Sequence, residues 1–165
     1  MLLSDSGGAL FIDYGYDMST GWPAGTDRAA RRPWLASLPA LKRDFGVTSV
    51  EVVLGTHYHD DHIAGLNLLR DVEGTEVWLP ENVALIMADP MRTDLPCQWF
   101  EPIPADRVLP LGETVRWREY DIVTHELLAT RSTPPRSNSR WTACACSRRG
   151  TSRPRKGGWA CSGRS

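Results

Sequence analysis

Three of the four histidines in the chain lie within six residues of one another. They are His57, His59 and His62, and two carboxylates, Asp60 and Asp61, lie between them. In an extended or tightly turning loop, side chains at i and i+2 project the same way, so His57 and His59 can bind one metal ion while Asp61 and His62 turn toward a second. Imidazole and carboxylate ligands together suit zinc, iron or manganese. The spacing therefore predicts a dinuclear metal centre.

The alternative is a polar surface loop whose histidines titrate near neutral pH and bind nothing, which is the preferred interpretation of one isolated histidine. Three histidines directly after a buried strand favour the metal site. Tyr58 and Asp60 occupy the positions between the proposed ligands, and we expect them to be spacers. Asp13 closes an upstream strand, where an Asp is often only a turn residue.

A metal site of this kind predicts hydrolysis. A bound ion lowers the pKa of its water toward about 7, so a nucleophile is available at neutral pH for attack on a carbonyl or phosphoryl centre. A second ion can stabilise the developing oxyanion, and a carboxylate such as Asp61 can orient the attacking group. We therefore expect a hydrolase, with Asp61 as its catalytic residue.

The elements around the cluster alternate between strand and helix. Residues 47–56 are rich in Val with little alternation, as expected for an interior strand, and they run directly into the cluster. Residues 9–15 predict a buried strand that ends near Asp13, with residues 1–4 as a short partner. Downstream, residues 63–70 are typical of a helix, 75–79 of a strand and 81–88 of a helix. This alternation predicts an α/β fold.

Two further elements follow from local patterns. Between residues 27 and 45 the apolar side chains recur at spacings of four, three and four, which predicts an amphipathic helix that ends at Gly46 and packs its stripe into the core. The stripe consists of Trp34, Leu38, Leu41 and Phe45. Between residues 107 and 126 two β-rich runs flank residues 111–114, which predicts a hairpin there.

Composition divides the 165 residues into two parts, 1–127 and 128–165. All 20 acidic residues precede residue 127, whereas nine of the 19 Lys and Arg follow it. No period of two or 3.6 persists after residue 127, and Ser, Thr, Pro and Arg dominate, so we expect a disordered basic tail without packed structure. Three of the four cysteines lie in this tail, in a spacing that fits no common zinc pattern, and Cys97 is expected to be an ordinary thiol.

Several classes of function are disfavoured. No stretch approaches the roughly 20 apolar residues of a membrane span, and the first residues lack the basic and apolar regions of a leader, so we expect a soluble cytoplasmic protein with a small-molecule substrate and no membrane partner. The basic tail, with Trp141 and Trp159 for stacking, leaves nucleic-acid binding as an alternative, which we regard as the weaker one because no binding module is recognisable. The sequence does not determine the oligomeric state.

The string Thr56-His57-Tyr58-His59-Asp60-Asp61-His62 closely resembles the H-x-H-x-D-H signature of the metallo-β-lactamase superfamily of hydrolases. Residues 7–15 resemble that family's first motif, whose aspartate supports the metal site from behind the ligands. The resemblance implies an αββα sandwich with two zinc ions per complete site, iron or manganese being alternatives. It places His57 and His59 on the first ion, Asp61 and His62 on the second, and Asp13 in the supporting position.

The same resemblance leaves the substrate open. Family members include β-lactamases, thioesterases, lactonases and nucleases, and one fold and site hosts all of these chemistries. We therefore expect only that an ester, thioester, lactone or similar bond is hydrolysed.

Two ligand motifs of the family are absent from the chain. Neither the Gly-His-Thr motif nor the Thr-Gly-Asp motif occurs, and His125 is expected to lie in the strand that leads to the first of them. When GC-rich codons are assumed and reading begins at the third base of codon 127, the shifted translation can contain both motifs in the expected order. Residues from about 128 to 165 are therefore interpreted as out-of-frame translation. We therefore expect an incomplete fold, for which a catalytically inactive truncated fragment is the alternative function.

Overall fold

The computed structural model describes residues 1–15, 37–128 and 140–149. The chain divides into two units, Met1–Val108 and Leu109–Ser165, and each unit is described by itself. The division at residue 127 that composition suggests stays a prediction, and strand β7, Tyr120–Leu128, runs across its boundary.

The first unit contains a five-stranded sheet. Its strands, in spatial and chain order, are β1 (Leu2–Leu3), β2 (Gly8–Ile12), β3 (Ser49–Leu54), β4 (Glu76–Pro80) and β5 (Arg107–Leu109). Strand β1 pairs antiparallel with β2, whereas β2, β3 and β4 are parallel. The interior position of β3 explains its run of Val and Leu, because an interior strand covered on both faces has no solvent side. The strand predicted over residues 47–56 is thus confirmed.

Within the described residues of this unit, four α-helices accompany the sheet. They are α1 (residues 37–45), α2 (Asp60–Ile63), α3 (Leu66–Glu73) and α4 (Glu81–Ala88). Helix α3 ends at Gly74, which adopts the left-handed conformation that glycine accepts without strain, and its N–H bonds back to the carbonyls of Arg70 and Leu69. Across the described part of the chain, no helix is long and apolar enough to cross a membrane.

The hydrophobic core of the first unit lies between the sheet and its helices. Strands and helices both contribute fully buried side chains, among them Val53, Leu66, Leu69, Val77, Leu79 and Met87. Each such side chain contributes about 1.5–3 kcal/mol through removal of its apolar surface from water. This core stabilises the strand ends that precede the histidine cluster.

The apolar stripe of α1 is buried only in part. Leu38 is buried and Leu41 packs against the core, but Phe45 is 61% exposed, so its predicted core position is wrong. Spacing determines which face of the helix a side chain shares, but not how far the covering sheet extends along that face. Trp34, the first member of the stripe, lies outside the described residues.

The second unit contains a three-stranded antiparallel sheet of β6 (Thr114–Trp117), β7 and β8 (Arg140–Arg148), in that order. Trp117 pairs with Tyr120, so residues 118–119 form the hairpin turn, and Arg118 has a φ of +52°. The hairpin predicted around residues 111–114 is therefore wrong. Arg118 takes a conformation that usually selects Gly or Asn, so the sequence carries no signal for the true turn.

Strand β8 corrects the expectation that no packed structure follows residue 127. It pairs antiparallel with β7 over nine residues, and Thr142 on it is buried. A strand edge offers unpaired N–H and C=O groups to any extended backbone, so this pairing does not need an apolar period in the sequence. Among the described residues, Cys144 and Cys146 on this strand form no disulfide bond. The rest of the predicted tail, residues 129–139 and 150–165, lies outside the described residues.

Candidate metal centre

The histidine cluster begins where strand β3 ends. Parallel strands end at the same edge of a sheet, and Ile12 at the end of β2 pairs with Leu54 at the end of β3. The next residue of each chain segment therefore comes to this edge, and the N–H of Asp13 donates to the Leu54 carbonyl at 2.8 Å. This arrangement brings Asp13 beside a cluster that lies more than 40 residues away along the chain.

A second segment supports the cluster loop from the other side. The Trp99 N–H donates to the Tyr58 carbonyl at 3.0 Å, and the Asp60 N–H donates to the Cys97 carbonyl at 3.0 Å. The Tyr58 side chain is 5% exposed and belongs to the core. Tyr58, which was expected to be a spacer between the ligands, also anchors the loop through its burial. The Asp60 carboxylate accepts a hydrogen bond from the Asp61 N–H at 2.9 Å.

The four predicted ligands lie together. The ring centroid of His57 is 4.6 Å from that of His59 and 3.9 Å from that of His62. An Asp61 carboxylate oxygen lies 3.7 Å from Nε2 of His62. His57 is 3% exposed, whereas Asp61 lies at the start of helix α2 with its side chain 42% exposed. The His57 imidazole is thus buried, whereas the Asp61 carboxylate is accessible to solvent.

Asp13 accepts three hydrogen bonds beneath the cluster. Its Oδ1 accepts from the Thr56 N–H at 2.7 Å, and its Oδ2 contacts Thr56 Oγ1 at 2.8 Å and His62 Nδ1 at 2.7 Å. Asp13 has a φ of +60°, which is uncommon outside glycine and most frequent for Asn and Asp. A strained backbone that directs one carboxylate at three donors is typical of a functional site.

Nδ1 of His57 also has a hydrogen-bond partner. Thr56 Oγ1 lies 3.0 Å from His57 Nδ1. Both His57 and His62 therefore use Nδ1 for a partner beneath the cluster, so Nε2 is the nitrogen that each ring has for a metal ion. Oriented imidazoles of this kind are characteristic of metal ligands.

The three imidazoles differ in the direction of their pKa shifts. Burial, followed by the neighbouring His62 and His59, lowers the pKa of His57 to about 4. Burial also lowers the pKa of His59, although Asp61 opposes the effect. Burial acts to lower the pKa of His62 as well, but its hydrogen bond to Asp13 and the nearby carboxylates raise it above the usual value. His57 and His59 are therefore neutral at pH 7, the form in which an imidazole binds a metal.

The donor types suit zinc, but the set of ligands is incomplete in number. Among residues 1–15, 37–128 and 140–149, no three His, Cys, Asp or Glu side chains are arranged to hold one ion. Zinc sites use three or four protein ligands, whereas the cluster supplies two side chains to each predicted ion. His125, the fourth histidine, has an exposed side chain on β7 in the second unit.

Sequence reasoning missed two supports of the cluster. A Cβ atom at Gly15 would overlap the backbone carbonyl of Asp61, so only glycine fits there. The Thr56 side chain links Asp13 to His57. The glycine that follows Asp13-Tyr14 was a signal for close backbone approach, because glycine is the usual residue at such contacts. The hydroxyl of Thr56, directly before the first histidine, was the other available signal.

The first unit is thus a mixed sheet that carries a His and Asp cluster at the carboxyl edge of its parallel strands. The family model described as the metallo-beta-lactamase superfamily matches residues 20–128. The chain belongs to this superfamily. No curated protein matches the sequence.

Solved structures of metallo-β-lactamases have a similar fold. The enzyme with the HARLDQ motif from Cronobacter sakazakii has a TM-score of 0.56 and 20% identity, over 88% of this chain and 51% of that one. MIM-1 from Novosphingobium pentaromativorans has a TM-score of 0.55 and 20% identity, over 88% and 51%. The class B3 di-zinc enzyme LRA-12 from an Alaskan soil metagenome has a TM-score of 0.54 and 17% identity, over 88% and 53%.

These identities show the fold alone. The chain spans about half the length of the structures that it matches. The predicted α/β fold of metallo-β-lactamase type, of which this chain contains an incomplete part, is thus confirmed.

Proposed function

We propose that this chain carries the amino-terminal half of a dinuclear metallohydrolase site, which uses a metal-activated water on an ester, thioester, lactone or similar bond of a small molecule. The observation that carries the proposal is the convergence of His57, His59, His62 and Asp61 at one sheet edge. Membership of the superfamily supports the hydrolase class. The bond type rests on the resemblance of the cluster to the family signature.

The ligands divide into two pairs. His57 and His59 would hold the first ion, and Asp61 and His62 the second. Zinc fits the imidazole and carboxylate donors best, and iron and manganese are the alternatives. Such an ion, when bound, supplies Lewis acidity that activates water at neutral pH.

Asp61 is the residue that we assign to catalysis. Its carboxylate is more open than the imidazoles, and it lies 3.7 Å from His62 Nε2. A carboxylate in this position accepts a hydrogen bond from water and directs the oxygen lone pair toward the substrate. The buried His57 cannot do this, because only 3% of its surface is exposed to solvent.

The alternative function is that of an inactive fragment. The family's Gly-His-Thr and Thr-Gly-Asp motifs are absent from the sequence. With two ligands per ion from the cluster, metal affinity falls below that of a site with three or four. We therefore propose that metal binding is retained in weakened form and that turnover requires ligands beyond the cluster.

A metal titration tests the site itself. Metal-free full-length chain is titrated with Co²⁺, whose absorption reports ligand type, and with Zn²⁺ by calorimetry. We expect binding that His59→Ala and Asp61→Ala each weaken by at least about tenfold. His125→Ala is the matched control, since His125 is exposed on β7 in the other unit, and it should bind as the parent does. Equal binding by all four proteins would refute the site.

A turnover assay separates the enzyme from the fragment. The zinc-loaded chain is incubated with chromogenic ester, thioester, lactone and β-lactam substrates, and Asp61→Asn provides the background rate. Hydrolysis above that background identifies an active enzyme and its bond type. Metal binding without hydrolysis of any substrate identifies the fragment.

A further inference from the structure

Thr56 connects two polar networks of the candidate site. Its backbone N–H donates to Asp13 Oδ1 at 2.7 Å, and its hydroxyl oxygen lies 2.8 Å from Asp13 Oδ2. The same hydroxyl oxygen lies 3.0 Å from His57 Nδ1. One hydroxyl thus contacts a carboxylate on one side and an imidazole on the other.

Proton counting determines the direction of both hydrogen bonds. A hydroxyl has one proton to donate, and an ionised carboxylate can only accept. The Thr56 proton therefore lies toward Asp13, and the Thr56 oxygen must accept from His57. Nδ1 of His57 then carries the proton, and the lone pair of the neutral ring is on Nε2.

We propose that Thr56 is a positioning residue that transmits the orientation of Asp13 to His57 and holds His57 in the Nδ1-protonated tautomer. The same carboxylate acts on His62 directly, through a contact of 2.7 Å to Nδ1. Asp13 thereby orients two rings, His62 by contact and His57 through the Thr56 hydroxyl. Both rings then have Nε2 directed away from the supporting network.

The tautomer of His57 is a property of the buried ring itself. His57 is 3% exposed, and a neutral imidazole carries a proton on one ring nitrogen and a lone pair on the other. The proposal concerns the site on which the proposed function rests, but the tautomer exists in the metal-free chain. Its test therefore does not need metal binding or activity.

The first experiment is long-range ¹H–¹⁵N correlation of the His57 ring in the metal-free, ¹⁵N-labelled full-length chain at neutral pH. We expect Nδ1 to resonate as a protonated nitrogen and Nε2 as an unprotonated one. The opposite pattern in the parent chain would overturn the proposal without any variant.

Thr56→Val and Thr56→Ser form the matched pair of variants. Valine keeps the branched shape without the hydroxyl, whereas serine keeps the hydroxyl. We expect Thr56→Val to reduce the ratio of the Nδ1-protonated to the Nε2-protonated tautomer by about fivefold or more, as for the loss of one hydrogen bond. Thr56→Ser should keep the parent ratio. Thr75→Val is the control for loss of a hydroxyl elsewhere, because Thr75 Oγ1 donates to the Val50 carbonyl at 2.9 Å.

A ratio that is unchanged in Thr56→Val would overturn the proposal. If Thr56→Val does not fold, Asp13→Asn replaces it, since removal of the accepting charge should change the His57 tautomer in the same direction. Co²⁺ affinity provides a second readout: we expect about 10- to 100-fold weaker binding in Thr56→Val and near-parent binding in Thr56→Ser. Absence of Co²⁺ binding in every protein, with the tautomer as expected, would contradict the proposed function and leave the role of Thr56 intact.

Discussion

Replacement of Gly15 by alanine should distort the metal loop as well as destabilise the fold. An added Cβ would overlap the Asp61 carbonyl and come within 2.9 Å of the His62 nitrogen, all of them backbone atoms that cannot rotate away. The loop around Gly15 is itself fixed, because the Tyr14 N–H donates to the His62 carbonyl at 2.8 Å and the Gly65 N–H donates to the Tyr14 carbonyl at 2.8 Å. Relief of the overlap therefore requires displacement of Asp61 or loss of these hydrogen bonds.

The expected cost follows from these contacts. Overpacking of a tightly packed site costs about 1–3 kcal/mol. Loss of two backbone hydrogen bonds adds about 0.5–1.5 kcal/mol each. We therefore expect Gly15→Ala to lower the free energy of unfolding by about 2–6 kcal/mol, a large part of the total stability of an ordinary domain.

Gly74→Ala is the matched control for this substitution. Gly74 has a φ of +69°, and no atom lies within 4 Å of the position that an added Cβ would take, so alanine there introduces backbone strain without overlap. We expect it to cost about 1 kcal/mol and to leave metal affinity unchanged. Urea unfolding followed by circular dichroism gives the free energies, and Co²⁺ titration gives the affinities. A Gly15→Ala protein that is as stable as Gly74→Ala and binds Co²⁺ like the parent would refute the reasoning.

Three further predictions concern Asp13, the hydrophobic core and the pH dependence of stability. Asp13→Asn keeps the shape and tolerates the positive φ but loses the charge, so calorimetry should show about 10- to 100-fold weaker Zn²⁺ binding; equal affinity would remove Asp13 from the site. Leu66→Ala should cost about 2–5 kcal/mol in urea unfolding, whereas Leu85→Ala, at a position 80% exposed, should cost less than about 0.5 kcal/mol; similar costs would contradict the assigned core. The pKa of His57 is about 4 in the folded chain and 6.5 in the unfolded chain, so the unfolded chain binds more protons between these values. The free energy of unfolding of the metal-free protein should therefore fall as the pH is lowered from 6.5 to 4. A free energy of unfolding that rises as the pH is lowered over this range would contradict the prediction.

Local patterns in the sequence predicted the elements that present the cluster. The Val-rich strand before His57 and the helix over residues 81–88 were both recognisable, because one depends on continuous burial and the other on a run of helix-forming residues after Pro80. The type and spacing of the cluster residues also indicated metal chemistry directly, since few other functions need three imidazoles and two carboxylates within six residues.

Predictions from the sequence were wrong where the structure depends on the spatial surroundings of a segment. Phe45 shares the apolar stripe of α1 but lies beyond the covered part of that face. Arg118 forms the hairpin turn in a conformation that its residue type does not announce. Residues 140–148 lack any strand period, yet the edge of β7 pairs with their backbone. In each case local sequence preference did not determine what surrounds the residue in space.

The support beneath the cluster was decided by the tertiary structure alone. Asp13 lies 43 residues from Thr56 and 49 from His62, and it meets them because two parallel strands end at one edge. The need for glycine at position 15 likewise arises only when the Asp61 backbone lies against it. The sequence by itself determined which ligands are available, since ligand chemistry belongs to residue type. Only the fold determined which nitrogen His57 and His62 present, since that depends on the partner that the other ring nitrogen contacts.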